Sequence, residues 1–293
     1  LFRSAFEASK KGERVLLLEQ HNVPGGFATS FVRGRFEFEP SLHEMPDVSS
    51  IEDASGVVRY LHYEAGRDIE FVSIPDAYRV ILTGKNVDVR LPFGTDNFIN
   101  TVEREVPGSR EPVSAYMELC REIQGTFRYL SEHERDLKYG ELIKKHGNFI
   151  RTGAYSAEEV ADALAVPREA RDLIYPYWCY LGVPMDRMSF SIWAALLNSY
   201  ISYGAVIPRF RSHEISSAFV RGIEENGGEI RFNTRVEAVL AENGRIEGVR
   251  TSRGEEIRCR ALISNASPTL LFDSLVSPRE AVPEEALRNI SAR

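Results

Sequence analysis

Apolar and polar positions change rhythm twice along the chain and divide it into three zones. In the first, from Leu1 to about Met45, a short amphipathic stretch from Ser4 to Lys11 predicts a helix closed by Gly12, which suits the left-handed residue after a last helical turn. The run RVLLLE then predicts a buried strand ending in an acid, Glu19, and a Gly pair follows at Gly25 and Gly26. Further on, Phe36 and Phe38 alternate with Glu37 and Glu39 in a strand-like pattern.

The second zone runs from about Pro46 to Tyr203. Its segments IEFVSI, YRVIL and VDVRL predict strands, the last two joined by a turn at GKN. Helical spacing follows, with Thr95 as the expected N-cap of DNFINTVEREV and a longer helix from about Pro112 to Ser131. Ser156 and Glu159 form a capping-box pattern ahead of VADAL. Residues 168–182 and 189–203 read as two aromatic-rich helices separated by Val183 and Pro184.

In the third zone a helix from about Ser212 to Asn226 stops at Gly227–Gly228. EIRFN, RVEAVLAE, RIEGVRTS and EIRCRALIS then predict strands, and Asn243–Gly244 between two of them is a strong hairpin signal. The remainder, 271–293, is polar and Pro-punctuated. Zones one and three together read as one nucleotide-binding domain split by zone two.

Helix, turn, buried strand and terminal acid make the second half of a βαβ dinucleotide-binding unit, in which the acid accepts the ribose hydroxyls. The Gly-rich phosphate loop belongs about 20 residues before that acid. Counting back from Glu19 lands before Leu1, so the expectation is a fragment that begins where the fingerprint would have ended.

Composition narrows the classes. The 293 residues have room for two domains, and 43% hydrophobic with 27% charged residues is the balance of a soluble globular protein. A net charge of −7 argues against a nucleic-acid partner. Cys120, Cys179 and Cys259 are odd in number and far apart, which fits free thiols in a reducing compartment and an expected cytoplasmic location. Apolar runs fall short of the ~18 residues of a spanning helix. With no HExxH, CxxC pair or paired His, no metal is expected, and no GxSxG elbow suggests a hydrolase.

The stretch EQHNVPGGFATSFVRGRFEFEPSLH resembles the second FAD motif of the phytoene desaturase and retinol saturase-like flavoproteins, within the flavin amine oxidase superfamily. ENGGEIRFNTRVEAVL, closing with ALISNASP, resembles that family's returning FAD-domain segment. The resemblance implies an α/β fold: an FAD/NAD(P)-binding Rossmann-like domain over 1–45 and 204–270, incomplete, split by an inserted α+β substrate domain at 46–203. Residues 271–293 would begin a further substrate-domain segment. Two local departures stand out, Phe27 after the Gly pair and Pro208–Arg209–Phe210–Arg211–Ser212 in place of a Gly-rich turn. The expected fragment would also lack the family's C-terminal third.

As cofactor contacts, Glu19 offers a carboxylate that only accepts hydrogen bonds, Gly25 and Gly26 let backbone N–H groups approach a pyrophosphate, and Thr29 and Ser30 add hydroxyl donors. A solvated strand end and an ordinary turn are the competing reading. Val236 on the returning strand would pair its backbone with adenine. Asn265 and Ala266 would follow the final apolar strand at its carboxyl end, where ligands gather in open α/β sheets, with a simple turn as the alternative. His43 would face the isoalloxazine or the substrate, although a lone His is more often structural. Arg209 and Arg211 would balance negative charge on a reduced flavin if they faced it, but surface arginines are the favoured reading. Tyr177, Trp178 and Trp193 belong to an aromatic set with Tyr175, Tyr180, Tyr200 and Tyr203. Such spacing usually means core packing, while the family's equivalent region lines an apolar substrate cavity.

The resemblance implies an FAD-dependent oxidoreductase that acts on C–C bonds of an apolar polyene or isoprenoid by desaturation, saturation or isomerisation. Peripheral membrane contact is expected with such a substrate. The alternatives are a flavin amine oxidase and a non-catalytic prenyl-protein binder of the GDP-dissociation-inhibitor type.

Overall fold

The apolar run of the first zone becomes strand β1 (Leu16–Leu18), with Leu17 buried at its centre. The computed structural model describes residues 1–46, 59–60, 62–63, 69–133 and 136–291. In chain order the other strands are β2 (Phe31–Arg33), β3 (Phe36–Phe38), β4 (Met45–Pro46), β5 (Phe71–Ser73), β6 (Tyr78–Leu82), β7 (Val87–Leu91), β8 (Ala205–Pro208), β9 (Glu229–Arg231), β10 (Val236–Glu242), β11 (Arg245–Thr251), β12 (Glu256–Arg258) and β13 (Val276–Ser277). The chain groups into two units: Leu1–His43 with Arg59–Glu70 and Pro208–Arg293, and Glu44–Val58 with Phe71–Ile207.

In the first unit β1 runs parallel to β9, with Leu17 opposite Ile230. The helices Phe2–Lys10 and Ser212–Glu225 pack together, and Phe6 meets Phe219 edge to face at 5.9 Å. Gly222 permits this approach, because a Cβ there would stand 2.6 Å from the Phe6 ring. After the first helix Gly12 takes φ +80 and donates its N–H to Ser9 O at 2.9 Å. The Asn243–Gly244 turn joins β10 to β11 with φ of +50 and +73, the left-handed pair that suits the twist of a two-residue hairpin. β12 and β13 complete the order β12-β11-β10-β13, and β2 pairs antiparallel with β3.

The stretch ALIS, 261–264, expected as the final apolar strand, is not one. β12 stops at Arg258, and Cys259 N–H makes a further bond to Glu247 O at 3.1 Å. Beyond it no strand among the described residues takes the backbone groups of 261–264, and Ile263 is 61% exposed. Apolar side chains without a pairing partner do not hold a strand.

The second unit pairs β6 with β7 around a turn at Asn86 (φ +53) and separately forms the sheet β4-β8-β5. Its core gathers Leu91, Phe98, Tyr116, Cys120, Trp193 and Leu197, all fully buried. Three helices, Thr95–Glu105, Arg110–Glu132 and Phe190–Tyr203, carry five of these six residues. Each large apolar side chain so buried contributes about 1.5–3 kcal/mol. The capping box is present in full: Ser156 Oγ accepts the Glu159 N–H at 3.1 Å and Glu159 Oε2 accepts the Ser156 N–H at 2.8 Å.

Two helix expectations need correction. Thr95 is the first helical residue and not the cap, which falls to Gly94 at φ +87, while the Thr95 hydroxyl meets Ser202 Oγ at 3.0 Å. The single helix expected over 168–182 divides into Arg168–Ile174 and a 3-10 turn, Tyr175–Tyr180. Pro176 explains the break, since it has no N–H for the helical ladder and its ring crowds the preceding turn. Among the described residues no helix is long and apolar enough to cross a membrane.

Candidate functional site

β1 delivers Glu19 to the carboxyl end of a parallel strand, and main-chain bonds fasten it to the segment returning after β9. Glu19 N–H donates to Arg231 O at 3.0 Å, and Glu19 O accepts the Thr234 N–H at 2.9 Å. Asn233 N–H reaches His21 O at 3.0 Å. Val236, two residues beyond Thr234, opens β10 opposite Thr251, next to a bulge. The structure therefore brings Glu19 and Val236 to one end of the first unit. The Glu19 carboxylate is half-buried, and its Oε1 accepts the His21 N–H at 2.8 Å.

The loop that follows is held by its own hydroxyls. Thr29 Oγ1 donates to Pro24 O at 2.6 Å, and Ser30 Oγ donates to Glu37 Oε1 at 2.6 Å. Both hydroxyl protons expected to serve a phosphate are engaged within the chain, which leaves main-chain N–H groups as the loop's donors. Ser216 Oγ, from the Ser212–Glu225 helix, donates to Ala28 O at 2.9 Å and ties the loop to that helix. Gly25 stands at φ +111, where a Cβ would collide with Ser216 Oγ and Ala28 O and lie 2.7 Å from Thr29 Oγ1. Gly26, at φ +59, faces open space within 4 Å of a built Cβ. Hence Gly25 is a packing glycine, and Gly26 is the one that leaves room for an approaching group. Phe27 points outward, 85% exposed.

Glu39 caps the Ser212–Glu225 helix: Oε2 accepts the Ser212 N–H at 3.0 Å, and Oε1 accepts the Ser212 hydroxyl. Just before it, Arg211 adopts φ +73 and ψ −178, a region that is essentially glycine's own. The backbone shape of a Gly turn thus persists under an arginine. Arg211→Gly is expected to raise the unfolding free energy by about 1 kcal/mol, the relieved strain being partly offset by glycine's greater unfolded-state freedom. Denaturant midpoints check this, and an unchanged or lower midpoint would show that the arginine backbone is unstrained. Arg209 and Arg211 both face acids, Glu70 at 2.6 Å and Glu37 at 4.0 Å.

Asn265 and Ala266 lie on the exposed stretch after β12, with Ala266 N–H turned onto Ser264 Oγ at 3.2 Å. They do not end a strand, because none forms before them. His43 is exposed, and its N–H donates to Ser41 O at 3.1 Å.

In the second unit the aromatic set separates by face. Trp193 is fully buried and meets Tyr175 edge on at 5.7 Å. Its Nε1, with the Tyr116 and Tyr175 hydroxyls, completes no hydrogen bond among the described residues. Tyr177 is buried as well, its hydroxyl 3.3 Å from Ala77 O, whereas Trp178 is 45% exposed. Trp193 and Tyr177 are therefore core, and Trp178 is surface. Glu44, which carries no periodic signal in the sequence, turns out to accept the Tyr180 hydroxyl at 3.1 Å. Burial and then the Glu44 charge push the Tyr177 and Tyr180 phenols well above the ordinary value, and that of Tyr200 to about 12. All three remain protonated donors at neutral pH.

Residues 4–279 match the family model described as DAO, FAD dependent oxidoreductase. All-trans-retinol 13,14-reductase of Rattus norvegicus is 27% identical over 278 residues, covering 90% of this chain and 45% of that protein. Prolycopene isomerase of Daucus carota is 23% identical over 290 residues, covering 96% and 47%. The chain spans about half the length of these curated relatives. A crystal structure of an oxidoreductase from Methanosarcina mazei shares the fold, with a TM-score of 0.65 at 19% identity over 99% of this chain and 61% of that one. A match from the first helix to β13 leaves little of the chain outside it, and the chain belongs to the FAD-dependent oxidoreductase family.

Proposed function

We propose that this protein is an FAD-dependent oxidoreductase acting on C–C bonds of an apolar polyene, a retinoid or carotenoid, by saturation, desaturation or isomerisation. One observation carries the reading: a retinol reductase and a prolycopene isomerase each align with nine-tenths or more of the chain. Both names denote conjugated polyenes.

The residues of the first unit suit the adenosine and pyrophosphate side of FAD. Glu19 accepts the ribose hydroxyls at a strand end, Gly26 opens the backbone to the pyrophosphate, and the Val236 main chain lies where the returning strand begins. FAD supplies the hydride chemistry that no side chain offers. The chain's own part is to bind, to orient and to exclude water. In the second unit the exposed Trp178 and Tyr180 supply aromatic surface of the kind an apolar substrate needs. Peripheral contact with a membrane, the reservoir of such substrates, belongs to this proposal, as does a cytoplasmic location.

The test is to mix the flavin-loaded protein anaerobically, in its oxidised and reduced states, with liposome-dissolved retinol or carotenoid. The expected result is a flavin-dependent change in the polyene absorption spectrum. Flavin reduction by short polar amines, with no change in any polyene, would favour an amine oxidase. Purification without flavin, together with binding of prenylated peptide, would favour the non-catalytic binder.

A further inference from the structure

In the second unit the long helix Arg110–Glu132 is followed by two short ones, Tyr139–Lys145 and Gly147–Thr152, with His146 ending the first and opening the second. Their inward residues hold them in place. Leu142 is buried, Phe149 meets Phe127 of the long helix edge on at 5.4 Å, and His146 Nδ1 lies 2.9 Å from Thr126 Oγ1. A helix so anchored normally turns polar side chains to water. Here Tyr139 is 72% exposed, Ile143 65% and Ile150 48%. Tyr139 and Ile143, four residues apart, share one helix face, so two large apolar groups stand together in solvent. The charges of this segment are mostly of one sign. Positions 138–152 hold four basic side chains, Lys138, Lys144, Lys145 and Arg151, against one acid, Glu141, in a chain of net charge −7. All four are exposed. Lys145 takes Glu141 at 3.1 Å, while Lys144 makes no ion pair among the described residues.

We propose that this helix pair is the surface by which the protein lies on an anionic phospholipid bilayer. Tyr139, Ile143 and Ile150 enter the headgroup boundary, and the lysines and Arg151 meet the lipid phosphates. The inference rests on the membrane contact that belongs to the polyene reading, and it gives that contact a place and a lipid charge. Charge complementarity selects the partner. An acidic chain is repelled as a whole by an anionic surface, so attachment there requires a locally basic patch, which a neutral apolar partner would not need. Helices of seven and six residues are too short to span, so they lie in the interface. Each cation near such a surface strengthens attachment, and buried apolar area adds to it.

The experiment is co-sedimentation of the flavin-loaded protein with vesicles of phosphatidylcholine alone and of phosphatidylcholine mixed with phosphatidylserine. Binding to the mixed vesicles is expected to be at least about tenfold tighter. The double variant Lys138→Gln, Lys144→Gln is expected to lose most of that preference, and Ile143→Asn to weaken binding to the mixed vesicles. All of these side chains are exposed, so flavin content and the unfolding midpoint should not move, which shows that the variants fold. The vesicles contain no polyene, so the assay fails on its own terms. Equal binding to the two vesicle types, or a lysine variant that keeps the full preference, overturns this inference and leaves the polyene reading standing. Absence of vesicle binding together with self-association that Ile143→Asn abolishes also overturns it, in favour of a second copy of the chain. Failure of the polyene reading shows elsewhere, as an unchanged polyene spectrum with flavin-loaded protein.

Discussion

Gly25→Ala is expected to destabilise the first unit by about 3 kcal/mol or more and to abolish flavin retention. Two costs add. A φ of +111 is hostile to any residue with a Cβ, and the added methyl would collide with Ser216 Oγ and the Ala28 carbonyl oxygen. A side-chain hydroxyl can rotate away, but a main-chain carbonyl can move only if the loop leaves the Ser212–Glu225 helix. Gly26→Ala is the matched comparison. Its backbone lies in the ordinary left-handed region at φ +59 with nothing within 4 Å, so the fold should lose only about 1–2 kcal/mol. Its flavin affinity should nevertheless fall if a pyrophosphate approaches there. Denaturant unfolding and flavin content after desalting separate the two variants. Equal stability of both would mean that the Gly25 contacts are soft.

Glu19→Ala carries the second large effect. It removes up to two charge-assisted hydrogen bonds to the ribose, each worth about 1.5–3 kcal/mol, so flavin affinity should drop at least about tenfold. The strand itself should survive, because Glu19 is held by its own N–H to Arg231 and its own carbonyl to Thr234, which any residue supplies. Among the described residues the side chain's one hydrogen-bond partner is the His21 N–H, an exposed group that water can satisfy. An unchanged flavin dissociation constant would remove Glu19 from the site.

Features encoded within a few neighbouring residues were the legible ones. The Asn243–Gly244 hairpin and the Ser156–Glu159 box need only the conformational preferences and reach of adjacent side chains. Glu19 was legible for the same reason, as an acid closing an apolar run. Thr95 departs from its local cap pattern because Ser202, more than a hundred positions later, claims its hydroxyl. The Thr29 and Ser30 hydroxyls donate to the Pro24 carbonyl and to Glu37, partners that no short-range pattern announces. Residues 261–264 have strand composition, but a strand also needs a neighbour, and composition carries no information about that. Glu44 was invisible in principle, since its surroundings are assembled from β6, a 3-10 turn and a later helix with no shared spacing. Pro176 signals the break locally, against the helical spacing of the aromatic residues around it.

The placement of the cysteines gives the second unit a built-in clock. Cys120 is fully buried among the core helices, and burial pushes its thiol well above the ordinary value, while Cys179 is exposed. A thiol reagent meets Cys179 on the native surface but reaches Cys120 only when the helices part. The slow phase of labelling therefore counts openings of that core, and the fast phase counts native molecules.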